Sequence, residues 1–256
     1  MKKGILIVSF GTSYEKTRRE CIESIENRID DSFKEYEIRR AFTSNMIIKK
    51  MKKEYGVHIN TPLNALEEMC NEGFEKIIVQ PLHVIPGFEY DKVKKAISII
   101  KHKSKAEIVL GTPLLNEIDD YRNLYKAIEC KLPKKEENKG VLLMGHGTEH
   151  FANACYSLFQ RIIEEKRDDV LIVNVEGYPE MDDVLESIQK KYNEMTLRPL
   201  MIVAGDHAQN DMAGDEDSFK TILEDKGIKA NCIVEGLGQN EKIQELFVNK
   251  IVSLIN

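Results

Sequence analysis

Short apolar runs alternate with longer amphipathic segments along almost the whole chain. The runs Gly4–Phe10, Tyr36–Phe42, Lys76–Pro81, Ala106–Gly111, Gly140–Met144, Val170–Val175, Leu200–Ala204 and Ala230–Val234 are rich in Ile, Val and Leu and show little polar alternation. That is the pattern of strands covered on both faces, hence of a mostly parallel sheet. Helical periodicity fills the intervals. Tyr14–Ile29 has Ile22, Ile25 and Ile29 in register, and Pro62–Gly73 has Thr61 as a cap with proline in the first turn. Lys92–Lys101, Asn116–Leu132, Phe151–Lys166, Met181–Tyr192, Asp217–Lys226 and Glu241–Ile255 continue the alternation. Strands alternating with helices in this way predict an α/β fold.

The charged, proline-bearing stretch LPKKEENKG, Leu132–Gly140, divides the chain near its middle. It predicts two lobes, residues 1–132 and 140–256, each a mostly parallel four-stranded sheet flanked by helices, flavodoxin-like or Rossmann-like. Internal similarity points to duplication. GILIVSFGTSYEK from Gly4 can be laid on GVLLMGHGTEHFA from Gly140, which puts Phe10 on His146 and Gly11-Thr12 on Gly147-Thr148. IIVQPLH, ending at His83, can be laid on MIVAGDH, ending at His207. On this alignment His83 survives at the place of His207, while Phe10 and Phe42 stand at the places of His146 and Glu176. The first half is then expected to be an apolar wall without a metal site.

Composition narrows the function. A net charge of −6 provides no basic field for a nucleic-acid backbone or an anionic membrane. The 5 cysteines are odd in number, widely separated and without a C-x-x-C pair, which argues against a disulfide framework and against a thiolate zinc site. Met1-Lys2-Lys3 runs straight into GILIVSF, too short for a signal segment, so a cytoplasmic location is expected. An oligomer is possible, but no tail or heptad supports one.

The chemistry gathers at the expected carboxyl ends of the second-half strands, where open α/β sheets bind ligands. Within VLLMGHGTEH, His146 stands between Gly145 and Gly147, whose lack of Cβ bulk allows a sharp turn and a close approach of the backbone to a ligand. Glu176 follows LIVNV and His207 follows MIVAGD, each about one βα unit further on. Two histidines and one carboxylate suit a divalent first-row metal with open coordination positions. Thiolates would hold such an ion too firmly to pass it on. Other candidates are weaker. Gly11, Thr12 and Ser13 could offer N–H groups and hydroxyls to a carboxylate, or form a plain helix cap. Asp211, Asp215, Glu216 and Asp217 lack EF-hand spacing and are expected in a mobile loop over the metal-bearing rim. His58, His102 and His150 are expected at the surface. A histidine phosphatase would need an arginine just before His146, where Gly145 stands.

Four segments carry a family resemblance: HGT at His146–Thr148, EGYP at Glu176–Pro179, GDHAQNDMAGDEDSFK at Gly205–Lys220 and QPLHVIPGFEYDK at Gln80–Lys92. With them the chain resembles, over essentially its whole length, the anaerobic sirohydrochlorin cobalt chelatases, class II chelatases of cobalamin biosynthesis. The resemblance implies a chelatase-like fold and the insertion of cobalt(II), as substrate metal, into sirohydrochlorin with release of two protons and no organic cofactor. It implies His146, Glu176 and His207 as metal ligands, with both histidines also placed to take protons from the macrocycle. Glu89 would face the tetrapyrrole and assist the reaction, with His83 and Gly11-Thr12-Ser13 as further substrate contacts. Phe88 departs from the smaller or polar residue expected before Glu89. Iron or nickel insertion, and a non-catalytic carrier of metal or tetrapyrrole, are the alternative readings.

Overall fold

The computed structural model describes residues 2–255 and divides into two compact units, Met1–Asn116 with Glu241–Asn256, and Glu117–Asn240. The first unit contains β1 (Lys3–Ser9), α1 (Glu15–Thr17), a π-helical stretch Arg18–Glu23, α2 (Ser24–Ser32), β2 (Glu37–Phe42), α3 (Asn45–Tyr55), α4 (Pro62–Asn71), β3 (Lys76–Pro81), α5 (Phe88–Lys101) and β4 (Glu107–Leu110). The second contains α6 (Ile118–Glu129), β5 (Lys139–Gly147), α7 (Ala154–Glu164), β6 (Val170–Glu176), α8 (Met181–Lys191), β7 (Glu194–Pro199), a π-helical turn Ala208–Met212, α9 (Phe219–Glu224) and β8 (Lys229–Cys232). The last helix, α10 (Glu241–Ile255), returns to the first unit.

Both sheets are wholly parallel and share one order, β2-β1-β3-β4 and β6-β5-β7-β8. The two-lobed α/β architecture read from the sequence is therefore the observed one. Leu6, Val8, Ile77 and Val79 of the first sheet pack with Leu66 and Met69 of α4 and Val93, Ile97 and Ile100 of α5. In the second, Leu142, Met144, Val173 and Leu197 pack with Met181 and Ile188 of α8 and with Phe219 and Leu223 of α9.

The lobe boundaries differ from the expected 1–132 and 140–256. Helix α6 belongs to the second unit, where it buries Tyr121, Leu124, Tyr125 and Ile128, with the Tyr121 ring centroid 6.3 Å from that of Phe159. Helix α10 belongs to the first, where it packs against α2 and β3 and buries Ile243, Phe247, Val248 and Ile251. Its Glu245 accepts from Arg28 Nη2 at 2.6 Å and its Lys250 Nζ donates to Thr112 Oγ1 at 3.1 Å. Leu132–Gly140 consequently lies inside the second unit, with Arg167 Nη1 donating to Pro133 O at 2.8 Å. An apolar helix face shows that something must be covered, and chain order does not say which sheet it covers.

Two elements depart from the hydrophobic pattern. The strand expected at Leu200–Ala204 is Glu194–Pro199 instead, with Met195 and Leu197 buried and polar residues between them. The apolar run beyond it leaves the sheet: Leu200 N donates a last bond to Met144 O at 2.7 Å, then Met201 O and Ile202 O accept from Leu237 N and Gly238 N at 2.8 and 3.0 Å. Its side chains are apolar because Leu200, Ile202 and Ala204 are buried in an irregular segment. Helix α3 was not apparent from the pattern because only Met51 on it is buried; it is set by its ends, the Ser44 hydroxyl accepting from Ile47 N and Gly56 at φ 66°. Among the described residues no helix is long and apolar enough to cross a membrane.

The exchanged terminal helix generates a test. Phe247 is fully buried, so Phe247→Ala should cost about 3–5 kcal/mol by loss of transfer energy and cavity formation. Hydrogen exchange should quicken in β1 and β3, in the first unit; equal loss of protection confined to β5–β8 would contradict the assignment of α10.

Candidate metal centre

The centre is built on the end of β5. Gly145 pairs in register with Asn174, and a Cβ on it would meet Asn174 Oδ1 at 2.3 Å and the Tyr156 ring at 2.7 Å. Gly147 pairs with Glu176 at φ 74°, and a Cβ there would lie 1.6 Å from Glu176 O. Two glycines thus let β6 and α7 close on the main chain on either side of His146. Tyr156 is buried beneath, its hydroxyl pushed up to about 12 by desolvation, with backbone groups of Gly147 and His146 beside it. The following loop is tied down: Asn153 Oδ1 accepts from Thr148 N at 3.1 Å and Asn153 Nδ2 donates to Tyr178 O at 2.6 Å.

His207 meets His146 at this rim. Their ring centroids lie 4.6 Å apart with the planes at 89°. His207 enters the π-helical turn that starts at Ala208, anchored by the buried Ala208 and Met212. Each ring has one nitrogen engaged. His146 Nδ1 is 2.9 Å from Gly147 O, and His207 Nδ1 is 2.5 Å from Asp211 Oδ2. Carbonyl and carboxylate oxygens only accept, so both Nδ1 atoms donate, and in the neutral ring of this tautomer the lone pair lies on Nε2.

The structure brings together two of the three expected ligands. Glu176 ends β6 with an exposed side chain beside the turn at Gly147, but among the described residues no three His, Cys, Asp or Glu side chains are assembled to hold an ion. The sheet register also corrects the duplication. The β1–β3 and β5–β7 ladders correspond with Pro81 on Pro199, and Leu82 and Leu200 make the same bond, to Val8 O and Met144 O. The next residues correspond too: His83 O accepts from Leu114 N as Met201 O does from Leu237 N. His83 therefore occupies the place of Met201. His207 lies in the helical turn that begins at Asp206, where the first unit has Glu89 in the turn that begins at Phe88. Phe10 still corresponds to His146, whereas Phe42, paired with Ser9, falls on Asn174, and Ser44 falls on Glu176. The signal for this alignment was present in the shared Pro-Leu of QPLH and RPLM.

His83 is buried with neither ring nitrogen hydrogen-bonded, and desolvation pushes it down to about 4, the Glu89 carboxylate opposing and Lys92 reinforcing the shift. Glu89 Oε1 accepts from Lys92 Nζ at 2.6 Å while its Oε2 is buried without a partner. Thr12 Oγ1 accepts from Tyr14 N at 3.2 Å, the local bond of a cap, and Gly11 at φ 95° lies against the Phe42 ring. Thr12 and Ser13 are buried. His58 and His102 are exposed as expected. His150 is not a surface residue: it is 9% exposed, and its Nδ1 accepts from Ala152 N at 3.1 Å, because it caps the turn before α7. In the acidic segment Ser218 Oγ donates to Gly214 O at 2.7 Å and Asp211 is held on His207, while Asp215, Glu216 and Asp217 are exposed. Asp211 is the acid of that run that reaches the centre, its partner lying four residues back beside a π-helical turn.

Two lobes, each with a parallel four-stranded sheet flanked by helices, are the fold of the class II chelatases. The chain belongs to the cobalt chelatase (CbiK) family, whose model matches residues 3–256. It is 37% identical over 258 residues to the sirohydrochlorin cobaltochelatase of Salmonella typhimurium, spanning 100% of this chain and 97% of that one. To the sirohydrochlorin cobaltochelatase CbiKC of Nitratidesulfovibrio vulgaris it is 28% identical over 259 residues, spanning 100% and 91%. The structure of SirB from Bacillus subtilis with Fe3+ shares the fold at a TM-score of 0.67 and 15% identity, over 99% of this chain and 96% of that one.

Burial of His83 predicts acid sensitivity. Its folded value of about 4 lies below the ordinary 6.5, so as pH falls through 6.5 the unfolded chain takes up the proton first and stability drops until about pH 4. His83→Met, the residue at the corresponding place, should remove that part of the acid loss, on the order of 3 kcal/mol across the window. Denaturant titrations at several pH values measure it; parallel pH profiles for the two proteins would show that His83 is charged in the folded state.

Proposed function

We propose that this chain inserts cobalt(II) into sirohydrochlorin, exchanging the ion for the two pyrrole protons of the ring. The observation that carries the reading is the pair of imidazoles at the β5 rim, each with Nδ1 engaged as a donor. The family and the names of the two curated relatives supply the substrate class. Nε2 of His146 and of His207 are the first donors to the ion, and the exposed Glu176 carboxylate is the third. Two neutral imidazoles and one carboxylate leave a bound cobalt(II) with one residual positive charge, which favours approach of an electron-rich ring nitrogen and keeps the ion exchangeable. When the ion passes to the macrocycle, the vacated imidazoles take up the protons that the pyrroles lose.

Exposed aromatic surface supports a flat, apolar-faced substrate. Phe151 is 84% and Tyr178 68% exposed on the loops that follow β5 and β6, and in the first unit Phe10 and Phe88 are exposed after β1 and at the start of α5. Large exposed rings mark binding surfaces. Glu89, with an orphaned buried oxygen and a place corresponding to that of His207, is proposed as a contact for the tetrapyrrole.

Purified protein mixed with sirohydrochlorin and cobalt(II) should change the absorption spectrum faster than a protein-free control; equal rates would sink the reading. The same assay with iron(II) and nickel(II) ranks the metals, since these donors accept all three. His146→Ala and His207→Ala should abolish insertion with little change in thermal unfolding. Glu176→Gln should weaken cobalt binding by about tenfold or more, roughly 1.4 kcal/mol, and leave affinity for metal-free sirohydrochlorin intact. Undiminished cobalt affinity in that variant would remove Glu176 from the ligand set.

A further inference from the structure

The two imidazoles of the centre are held by different means. His146 Nδ1 is bound by the carbonyl of the next residue, a main-chain group that no substitution deletes. His207 Nδ1 is bound by a side chain, Asp211 Oδ2, at 2.5 Å. A contact between residues four apart in a helical turn is often only a brace for the turn, but here the turn is closed without it. Gln209 N donates to Gly205 O at 3.1 Å, Gly214 N donates to Asn210 O at 3.0 Å, and Asn210 Nδ2 donates to Asp206 Oδ1 at 3.1 Å. Ala208 and Met212, both fully buried, anchor it from beneath. Asp211 is 41% exposed and could satisfy its oxygens in water, so its place on the imidazole is not forced by burial.

We propose that Asp211 is a positioning residue which fixes the Nδ1–H tautomer and the ring orientation of His207, so that the Nε2 lone pair is presented to the incoming metal ion. The inference rests on His207 being a ligand and adds the residue that makes it one. A neutral imidazole in water exchanges its proton between the two nitrogens, and the tautomer protonated at Nε2 offers no lone pair there. A carboxylate that accepts from Nδ1–H removes that population and raises the basicity of the other nitrogen. The remaining acids of the segment do not share the role: Asp215 is almost wholly exposed and faces Lys220 Nζ at 3.6 Å.

The test reads the tautomer and the metal separately. In metal-free protein labelled with nitrogen-15, the imidazole signals of His207, identified as those absent from His207→Ala, should report Nδ1–H in the parent. In Asp211→Ala they should show a mixture or the Nε2–H form. Titration with cobalt(II) alone should weaken about 10–100-fold in Asp211→Ala, the usual cost of losing such a partner, and be unchanged in Asp215→Ala. An unaltered tautomer and unaltered cobalt affinity in Asp211→Ala, with binding lost in His207→Ala, would overturn the role of Asp211 and leave the ligand intact. Cobalt affinity undiminished in His207→Ala would overturn the ligand itself. Equal weakening in Asp211→Ala and Asp215→Ala, with the tautomer unaltered, would reduce the effect to local charge and also refute the proposal.

Discussion

The centre depends on a main-chain approach that leaves no room for a side chain. At the end of β5, a Cβ on Gly147 would lie 1.6 Å from the carbonyl of Glu176, and φ 74° is a conformation that other residues adopt only at a cost. Gly145 accepts Asn174 and Tyr156 against its backbone in the same way. His146 is fixed because the chain on both sides of it is clamped, and its own ring is then secured by the carbonyl of Gly147. Both imidazoles at this rim are held by packing and hydrogen bonds within the second unit itself.

Much of this could be read from residues alone, and the reasons for the misses are physical. The continuous apolar strands, the Gly-His-Gly turn and the pairing of His146 with His207 follow from strand burial and from the rule that ligands gather at carboxyl ends. The LMIVA run has the composition of a buried strand because a buried irregular segment shares it; Met201 and Ile202 satisfy their carbonyls through Leu237 and Gly238, and no periodicity announces that. The lobes to which α6 and α10 belong are not legible in sequence, because amphipathicity marks a face without naming its partner. Asp211 stands in sequence as one member of an acidic run without EF-hand spacing, and nothing in that run shows that its partner is His207, four residues back in a π-helical turn.

The corrected duplication changes what the two units mean. With Phe10 at the place of His146, Glu89 at that of His207 and Ser44 at that of Glu176, the first unit keeps the frame and none of these imidazoles. Its one buried histidine lies at the place of Met201, inside the fold, where desolvation keeps it neutral down to about pH 4. Without the register, His83 reads as a relic of a metal site. With it, His83 is a core residue whose unpaired nitrogens are a cost carried by the packing.

Glu89 is then the informative residue of the first unit. It occupies the first turn of α5 as His207 occupies the first turn of its own helical segment, so duplication has supplied two equivalent positions at two rims and divergence has made one an imidazole and the other a carboxylate. The two groups differ in kind. A neutral imidazole offers one nitrogen lone pair, whereas the Glu89 carboxylate has one oxygen on Lys92 and the other buried without a partner. One repeated frame therefore carries different chemistry at the same place in its two copies.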